Sequence, residues 1–326
     1  MSVNGNSVSP RRGEGRGEGA VERGLFLVLP LLLFTACFQQ PADFVPPPKP
    51  LELKEAKVKL PPGIEKLRIG LVPHLSPDRM RTTRAPLVAY LSGSLGIPVE
   101  MVIGADYDDV GEMLARKEVE LAEFSPYAFV RARKKVQLHP LVSAISEGSS
   151  TSGGYIIVRD DSPRRSVEEL RGARFGFVDP ASTSGYLYPL KLFKDRNIDP
   201  ETFFASTVFL GSHDGVLLAI LDGGIEAGAT WQGSFGALKA KSGVDPLEFR
   251  VIAKMPRTPQ DVVCVRADVQ PEVGEAVKQL MLRLSMRTKA DRDILSAMSV
   301  NGYVEADLDA YQQVERIANE LDAGHP

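Results

Sequence analysis

An α/β fold with two open-sheet series is what the sequence predicts, and three observations predict it. From residue 67 onward, apolar runs of strand length alternate with stretches of helical period. A second series of the same kind follows from residue 167. Four strand ends carry small, polar or Gly/Pro-rich turns, at 73–83, 125–126, 179–184 and 211–215. Alternation at this spacing implies parallel strands linked by crossover helices. In such sheets ligands bind at the carboxyl ends of strands, and a cleft between two lobes would let all four turns converge.

In chain order, LRIGLV (67–72) is a continuous apolar strand bounded by Pro73. A helix follows with Leu87, Val88, Leu91 and Leu95 on one face, ending at Gly96. PVEMVI (98–103) is a strand, 107–116 a helix, VELAEF (119–124) a strand, and 127–135 a helix with a basic end. Residues 138–145 and 155–158 are further strands. The second series runs through a short helix at 167–171, a strand at 174–178, and a helix at 184–195. It continues with a strand at 207–210, a helix at 214–222, a strand at 226–230 and a helix at 231–241. Strands at 249–253 and 262–265 precede a tail whose period predicts helices over 272–297 and 308–321.

The N-terminal part reads differently. Residues 25–34 form a ten-residue apolar run, short for a bilayer span, preceded by Arg11, Arg12, Arg16 and Arg23. Thr35-Ala36-Cys37 closes it, and small residues before a cysteine resemble a bacterial lipoprotein signal, although Phe34 stands where Leu is usual. Residues 1–37 are therefore expected to be a signal with Cys37 as the lipidated residue, putting the rest outside the cytoplasm on a membrane anchor. The Pro- and Lys-rich segment 38–65 reads as a tether.

The 326 residues are 43% hydrophobic and 25% charged with a net charge of −3, so no basic face for nucleic acid is implied. Cys37 and Cys264 allow at most one bridge, and Cys264 lies in the apolar run DVVCVR. Besides His213 the histidines are His74, His139 and His325, and no metal-ligand spacing occurs. A Walker lysine, GxGxxG after a strand and GxSxG are all absent. No metal, cofactor or catalytic residue is assigned, and a binding protein fits better than an enzyme.

Two stretches stand out. FGFVDPASTSGYLY (175–188) reads as strand, turn and helix start, with Ser182, Thr183 and Ser184 at the turn. Hydroxyls beside the unpaired first amides of a helix make a site for a small oxyanion, or an ordinary N-cap. GSHDG (211–215) repeats the design, and His213 there can donate to an anion.

FVDPASTSGYLYPLKLF followed by FLGSHDGVLLAILDGGIEAGAT resembles the substrate-binding components of phosphate/phosphite/phosphonate ABC importers. LRIGLVPHLSPDRM, VELAEFSPYAFV and GGYIIVRDDS extend the likeness over roughly residues 66–305. The resemblance implies a two-lobed type II periplasmic binding protein, each lobe an open sheet flanked by helices, joined by two crossing strands. It implies lobe one at 66–153 plus 258–326, lobe two at 154–257, and a hinge near 153–155 and 256–259. It further implies that Ser182, Thr183, Ser184 and His213 hold the ligand's oxygens and that Asp214 accepts a proton from a partly protonated ligand. Ser125 and Tyr127 are expected to approach from lobe one. Phe129 replaces the Tyr of a G-P-x-x-Y pattern, and Glu226 the Asp of VDAGA; with Trp231 at a strand end, a bulkier or more apolar substituent fits. The expected partners are a small phosphorus oxyanion, an ABC permease and the membrane through the lipid anchor. Two other roles on the same fold are a sensory lipoprotein and a thiaminase-like enzyme, the latter needing a nucleophile in the cleft, for which Cys264 in its apolar strand is a weak candidate.

Overall fold

The computed structural model describes residues 60–323, apart from the side chains of 240–242, so the signal, Cys37, most of the tether and His325 lie outside the described residues. Lobe one opens with β1 (Leu67–Leu71), α1 (Pro77–Leu95), β2 (Val99–Ile103), α2 (Tyr107–Ala115), β3 (Leu121–Phe124), α3 (Pro126–Arg133) and β4 (Leu138–Ile145). The chain crosses through β5 (Thr151–Ser152) into β6 (Gly154–Arg159). The second lobe adds β7 (Arg174–Phe177), α4 (Tyr188–Asp195), α5 (Pro200–Phe203), β8 (Ser206–Phe209), α6 (His213–Leu221), β9 (Ala227–Trp231), α7 (Ser234–Ser242) and β10 (Phe249–Lys254). It returns through β11 (Thr258–Pro259) to β12 (Val262–Arg266), α8 (Pro271–Arg283), α9 (Lys289–Ala297), β13 (Gly302–Glu305) and α10 (Asp309–Asp322).

The first sheet has the order β13-β4-β12-β3-β1-β2 and the second β10-β6-β9-β7-β8, while β5 and β11 pair antiparallel where the chain passes between them. Both sheets are mixed rather than parallel. β12 runs antiparallel to β3 and β4, and β6 antiparallel to β9 and β10. The reason is connectivity: a strand that enters a sheet from the other lobe arrives from the opposite end.

Local chemistry sets the helix bounds. Pro77 opens α1, which buries Met80, Leu87, Leu91 and Leu95, and Gly96 ends it at φ 71° with its N–H on the Ser92 carbonyl. That left-handed position suits glycine. The helix expected over 272–297 is two helices, because Leu284 is extended and buried and Thr288 caps α9 by accepting the Asp291 N–H. The one-turn α5 opens at Asp199, whose side chain accepts the Glu201 N–H, with Pro200 at its first position; β13 has no such local signal, being four residues long and gaining its burial from β4.

Lobe one packs Leu67, Ile69 and Leu71 against Leu87, Leu91, Val277 and Leu280. In lobe two Phe175 stacks on Phe204 at 4.7 Å and meets Phe193 edge-on at 5.5 Å. Fully burying each such side chain contributes about 1.5–3 kcal/mol. A third cluster, including Tyr107, Phe124, Val178 and Tyr188, runs between the lobes. The cleft is therefore closed.

Candidate functional site

The two polar turns of lobe two are built alike. Each begins with a serine in extended conformation whose Oγ accepts the N–H of a glycine three residues on: Ser182 from Gly185 and Ser212 from Gly215, both at 3.1 Å. A side chain on Gly185 would meet Val178 Cβ at 2.4 Å, and one on Gly215 the Leu210 carbonyl at 2.7 Å. The turns follow β7 and β8, which are parallel neighbours, so both lie at the carboxyl end of the strands. Thr183–Leu187 forms a π turn before α4.

Ser182, Thr183, Ser184 and His213 face Ser125 around one cavity of about 100 Å³ between the lobes. The hydroxyls keep hydrogens to give. Ser182 Oγ already accepts from Gly185, and Thr183 Oγ1 accepts the Tyr127 N–H from the other lobe at 2.8 Å, so each O–H is left for a further acceptor. Three buried polar atoms of residues lining this cavity lack a hydrogen-bond partner, Ser125 Oγ, Ser152 Oγ and Trp231 Nε1, while Tyr107 OH has only the Ser182 hydroxyl near it and Thr258 Oγ1 only the Tyr188 hydroxyl. An unpaired buried polar group costs about 1–3 kcal/mol. Several converging on one space mark a site shaped for a polar guest.

His213 reaches across the cleft with its backbone, donating its N–H to the His74 carbonyl at 3.1 Å. Its Nδ1 lies 3.0 Å from Thr230 Oγ1, and burial, with His74 nearby, pushes its pKa down to about 3. The closed site thus holds His213 as a neutral imidazole at physiological pH.

Asp214 and Tyr127 lie elsewhere than expected. The Asp214 carboxylate does not line the cavity; it accepts from Arg79 Nη1 at 2.7 Å and from the Ser76 N–H at 3.5 Å, bridging lobe two to α1. Tyr127 contributes its N–H to Thr183, while its ring lies under Arg131. The departures from the family pattern also fall outside the cavity. Phe129 is buried in lobe one, edge-on to Tyr311 at 5.1 Å, and Glu226 is held at the start of β9 by Arg174. Trp231 does line it. Cys264 is buried in β12, where burial pushes its thiol well up and away from nucleophilic use.

The cavity has a lobe-one wall that was not anticipated. Arg84 holds Glu123 through two bonds, 3.0 Å from Nε and 2.6 Å from Nη2, and Asp261 and Tyr303 complete the wall. Burial, and then the Glu123 charge, push the Asp261 carboxyl up to about 7, with Arg84 acting against them. A carboxyl that titrates near neutral pH is available there in its ionised form to accept a hydrogen from a ligand. The sequence carried a signal for this wall: Glu123 interrupts the apolar run VELAEF, and Asp261 precedes the apolar VVCVR.

Among the described residues no group of three or more His, Cys, Asp or Glu is arranged to hold a metal ion, and no helix is long and apolar enough to cross a membrane. A sequence profile of the family described as "ABC transporter, phosphonate, periplasmic substrate-binding protein" matches residues 69–311. The phosphate-import protein PhnD of Mycolicibacterium smegmatis is 27% identical over 231 residues, covering 66% of this chain and 71% of that protein. The binding-protein component of an ABC phosphonate transporter from Pseudomonas aeruginosa superposes with a TM-score of 0.73 at 20% identity, over 78% of this chain and 85% of that one. PhnD1 from Prochlorococcus marinus, solved with methylphosphonate, superposes with a TM-score of 0.72 at 20% identity, over 79% of this chain and 98% of that one.

Proposed function

The chain belongs to the family of periplasmic substrate-binding proteins of phosphonate ABC transporters, and from that premise we propose that the cavity described above captures a small phosphorus oxyanion. It is the substrate-binding component of an importer, and its relatives are binding proteins. The observation that carries the ligand assignment is the ring of partnerless buried groups facing the hydroxyls of Ser182, Thr183 and Ser184 in an enclosed space of about 100 Å³. That space suits phosphite, phosphate or a phosphonate with a short substituent. Ser125 and His213 add donors from the two sides, and Tyr127 and Asp214 act indirectly, holding Thr183 and Arg79 in place.

The role of proton acceptor, expected of Asp214, falls in this reading to Asp261. In its ionised form the Asp261 carboxylate accepts the hydrogen of a P–OH group, whereas a fully deprotonated sulfate has none to give and sets a lone pair against a lone pair. Lobe one comprises 66–153 and 258–326, lobe two 154–257, and the partner that accepts the ligand is an ABC permease.

Trp231, the one tryptophan in the chain, lines the cavity and gives the assay. Titration with methylphosphonate, phosphite and phosphate is expected to change its fluorescence with saturation, and sulfate to bind about 100-fold more weakly, as one unmatched buried group implies. Tight sulfate or sulfonate binding without any phosphorus ligand would refute the assignment. The proposed lipid anchor at Cys37 has its own check: Cys37→Ser should move the chain from the membrane fraction to the soluble one, and an unchanged distribution removes the anchor.

A further inference from the structure

Four basic side chains line the cavity: His74, Arg79, Arg84 and His213. Both guanidinium groups are already matched, Arg79 by Asp214 at 2.7 Å and Arg84 by Glu123 at 2.6 Å. Asp261 adds a further carboxyl to the same wall. An oxyanion entering this space meets no unmatched fixed positive charge, and a buried anion without a counter-charge is costly. The groups left to supply one are the two imidazoles.

We infer that His74 is the lobe-one half of a two-histidine clamp, binding the oxyanion opposite His213 and taking up a proton from solvent as the anion enters. This rests on the reading of the cavity as a phosphorus-oxyanion site, and it adds a ligand-binding residue and a proton to that site. His74 lies in the turn between β1 and α1, and its carbonyl accepts the His213 N–H, so closure itself brings the two histidines into one wall. Its Nδ1 is 3.3 Å from the Val72 carbonyl. A carbonyl can only accept, so the single proton of the neutral ring is on Nδ1 and Nε2 is bare. A bare nitrogen repels a deprotonated oxygen; protonated, it becomes a charge-assisted donor.

The charged groups around the pair act consistently. His74 faces Arg79 and Arg84 of α1, and His213, with its neighbour Asp214, from α6; Glu123 of β3 and Asp261 line the same cavity. His213 faces His74 together with Thr230 and Trp231 of β9. Burial, and then Arg84, push His74 down to about 3, so the protein's own groups keep the ring neutral. An anionic phosphorus oxygen at Nε2 acts against both causes: its charge-assisted hydrogen bond replaces the solvation that burial removes, and its charge meets guanidinium groups already matched by carboxylates. A group whose pKa the protein alone depresses and a bound anion raises takes up a proton on binding at any pH between the two values.

The test is made on the full chain at pH 8 with methylphosphonate as the probe. Calorimetry in two buffers of different ionisation enthalpy should show the wild-type protein taking up about one proton more than His74→Gln, a difference that protonation of the ligand or of Asp261 does not produce. With four histidines in the chain, ring-¹⁵N spectra resolve His74, whose Nε2 should move to the imidazolium position on saturation. His74→Gln should weaken binding about tenfold or more, as loss of one charge-assisted hydrogen bond implies, and reduce the proton count, whereas His139→Gln, on an exposed residue, changes neither. Wild-type binding with no proton uptake beyond that of His74→Gln and a neutral His74 ring overturns the clamp and leaves the ligand assignment standing. No binding of any phosphorus oxyanion by the wild-type protein overturns both. The ring spectra of the wild type decide the matter even where His74→Gln does not fold.

Discussion

Replacing Ser182, Thr183 and Ser184 together with alanine is expected to weaken binding of the phosphorus ligand about 10³-fold or more. Hydrogen bonds to a charged acceptor contribute about 1.5–3 kcal/mol each, so three of them amount to about 4.5 kcal/mol at the least. The geometry explains why these hydroxyls are donors. Ser182 Oγ and Thr183 Oγ1 are occupied as acceptors by the N–H groups of Gly185 and Tyr127, so each hydroxyl hydrogen is directed to something else. The same bonds give the variant a folding cost. Loss of the Ser182 cap costs about 1 kcal/mol, and the Tyr127 N–H loses its partner at about 1–3 kcal/mol. Ser212→Ala supplies the control. Ser212 caps α6 in the same way without lining the cavity, so it should lower stability similarly and leave affinity nearly intact. Triple-variant affinity within tenfold of wild type, measured by calorimetry, would remove this turn from the site.

The lobe-two half of that site was legible in the sequence for a physical reason. Both of its turns are local objects: a strand end, a serine cap and a glycine three residues later, all within one stretch of chain. Their proximity follows from β7 and β8 being parallel neighbours, which the alternating pattern implies. The lobe-one wall is different. Arg84, Glu123, Asp261 and Tyr303 come from α1, β3, the strand return and β13, and only the closed packing brings them together. A charged residue inside an apolar run signals a buried partner without naming it. Asp214 shows the converse limit. Its position in the GSHDG turn points to the ligand, yet its carboxylate turns to Arg79, a residue 135 positions away. The antiparallel direction of β6 and β12 was equally hidden, since it follows from the chain crossing between lobes and not from any local pattern.

Closure in this protein is held by polar bonds that can be tested one by one. Around the cavity the lobes are joined by His213 N–H to the His74 carbonyl, Tyr127 N–H to Thr183, Tyr107 N–H to Asp179 at 3.4 Å, and the Arg79–Asp214 ion pair with the Ser76 N–H on the same carboxylate; exposed contacts of Lys191 and Lys194 with Glu320 and of Gln232 with Glu147 add to them at the surface. The first two tie the ligand-facing turns directly to lobe one, so a filled cavity and a closed cleft reinforce each other.

The ion pair is the strongest of these links and gives the second large expectation. The side chains of Arg79 and Asp214 are 10% and 4% exposed. Breaking a buried pair by removing one partner costs about 3–5 kcal/mol, because the other charge is left without compensation. Here the cost has an outlet short of unfolding: the lobes open and Asp214 meets water. Arg79→Met should therefore weaken apparent affinity about 100-fold by lowering the fraction of molecules that can close, with a much smaller change in melting temperature. The double variant Arg79→Met/Asp214→Leu should recover most of the affinity, since apolar residues of similar volume often replace a buried pair without loss. If instead Asp214 received the ligand's proton directly, the double variant would bind as poorly as Asp214→Asn alone. Titration of Trp231 fluorescence in the two single variants and the double separates these outcomes, and recovery in the double places Asp214 in the closing of the cleft and leaves the ligand's proton to Asp261.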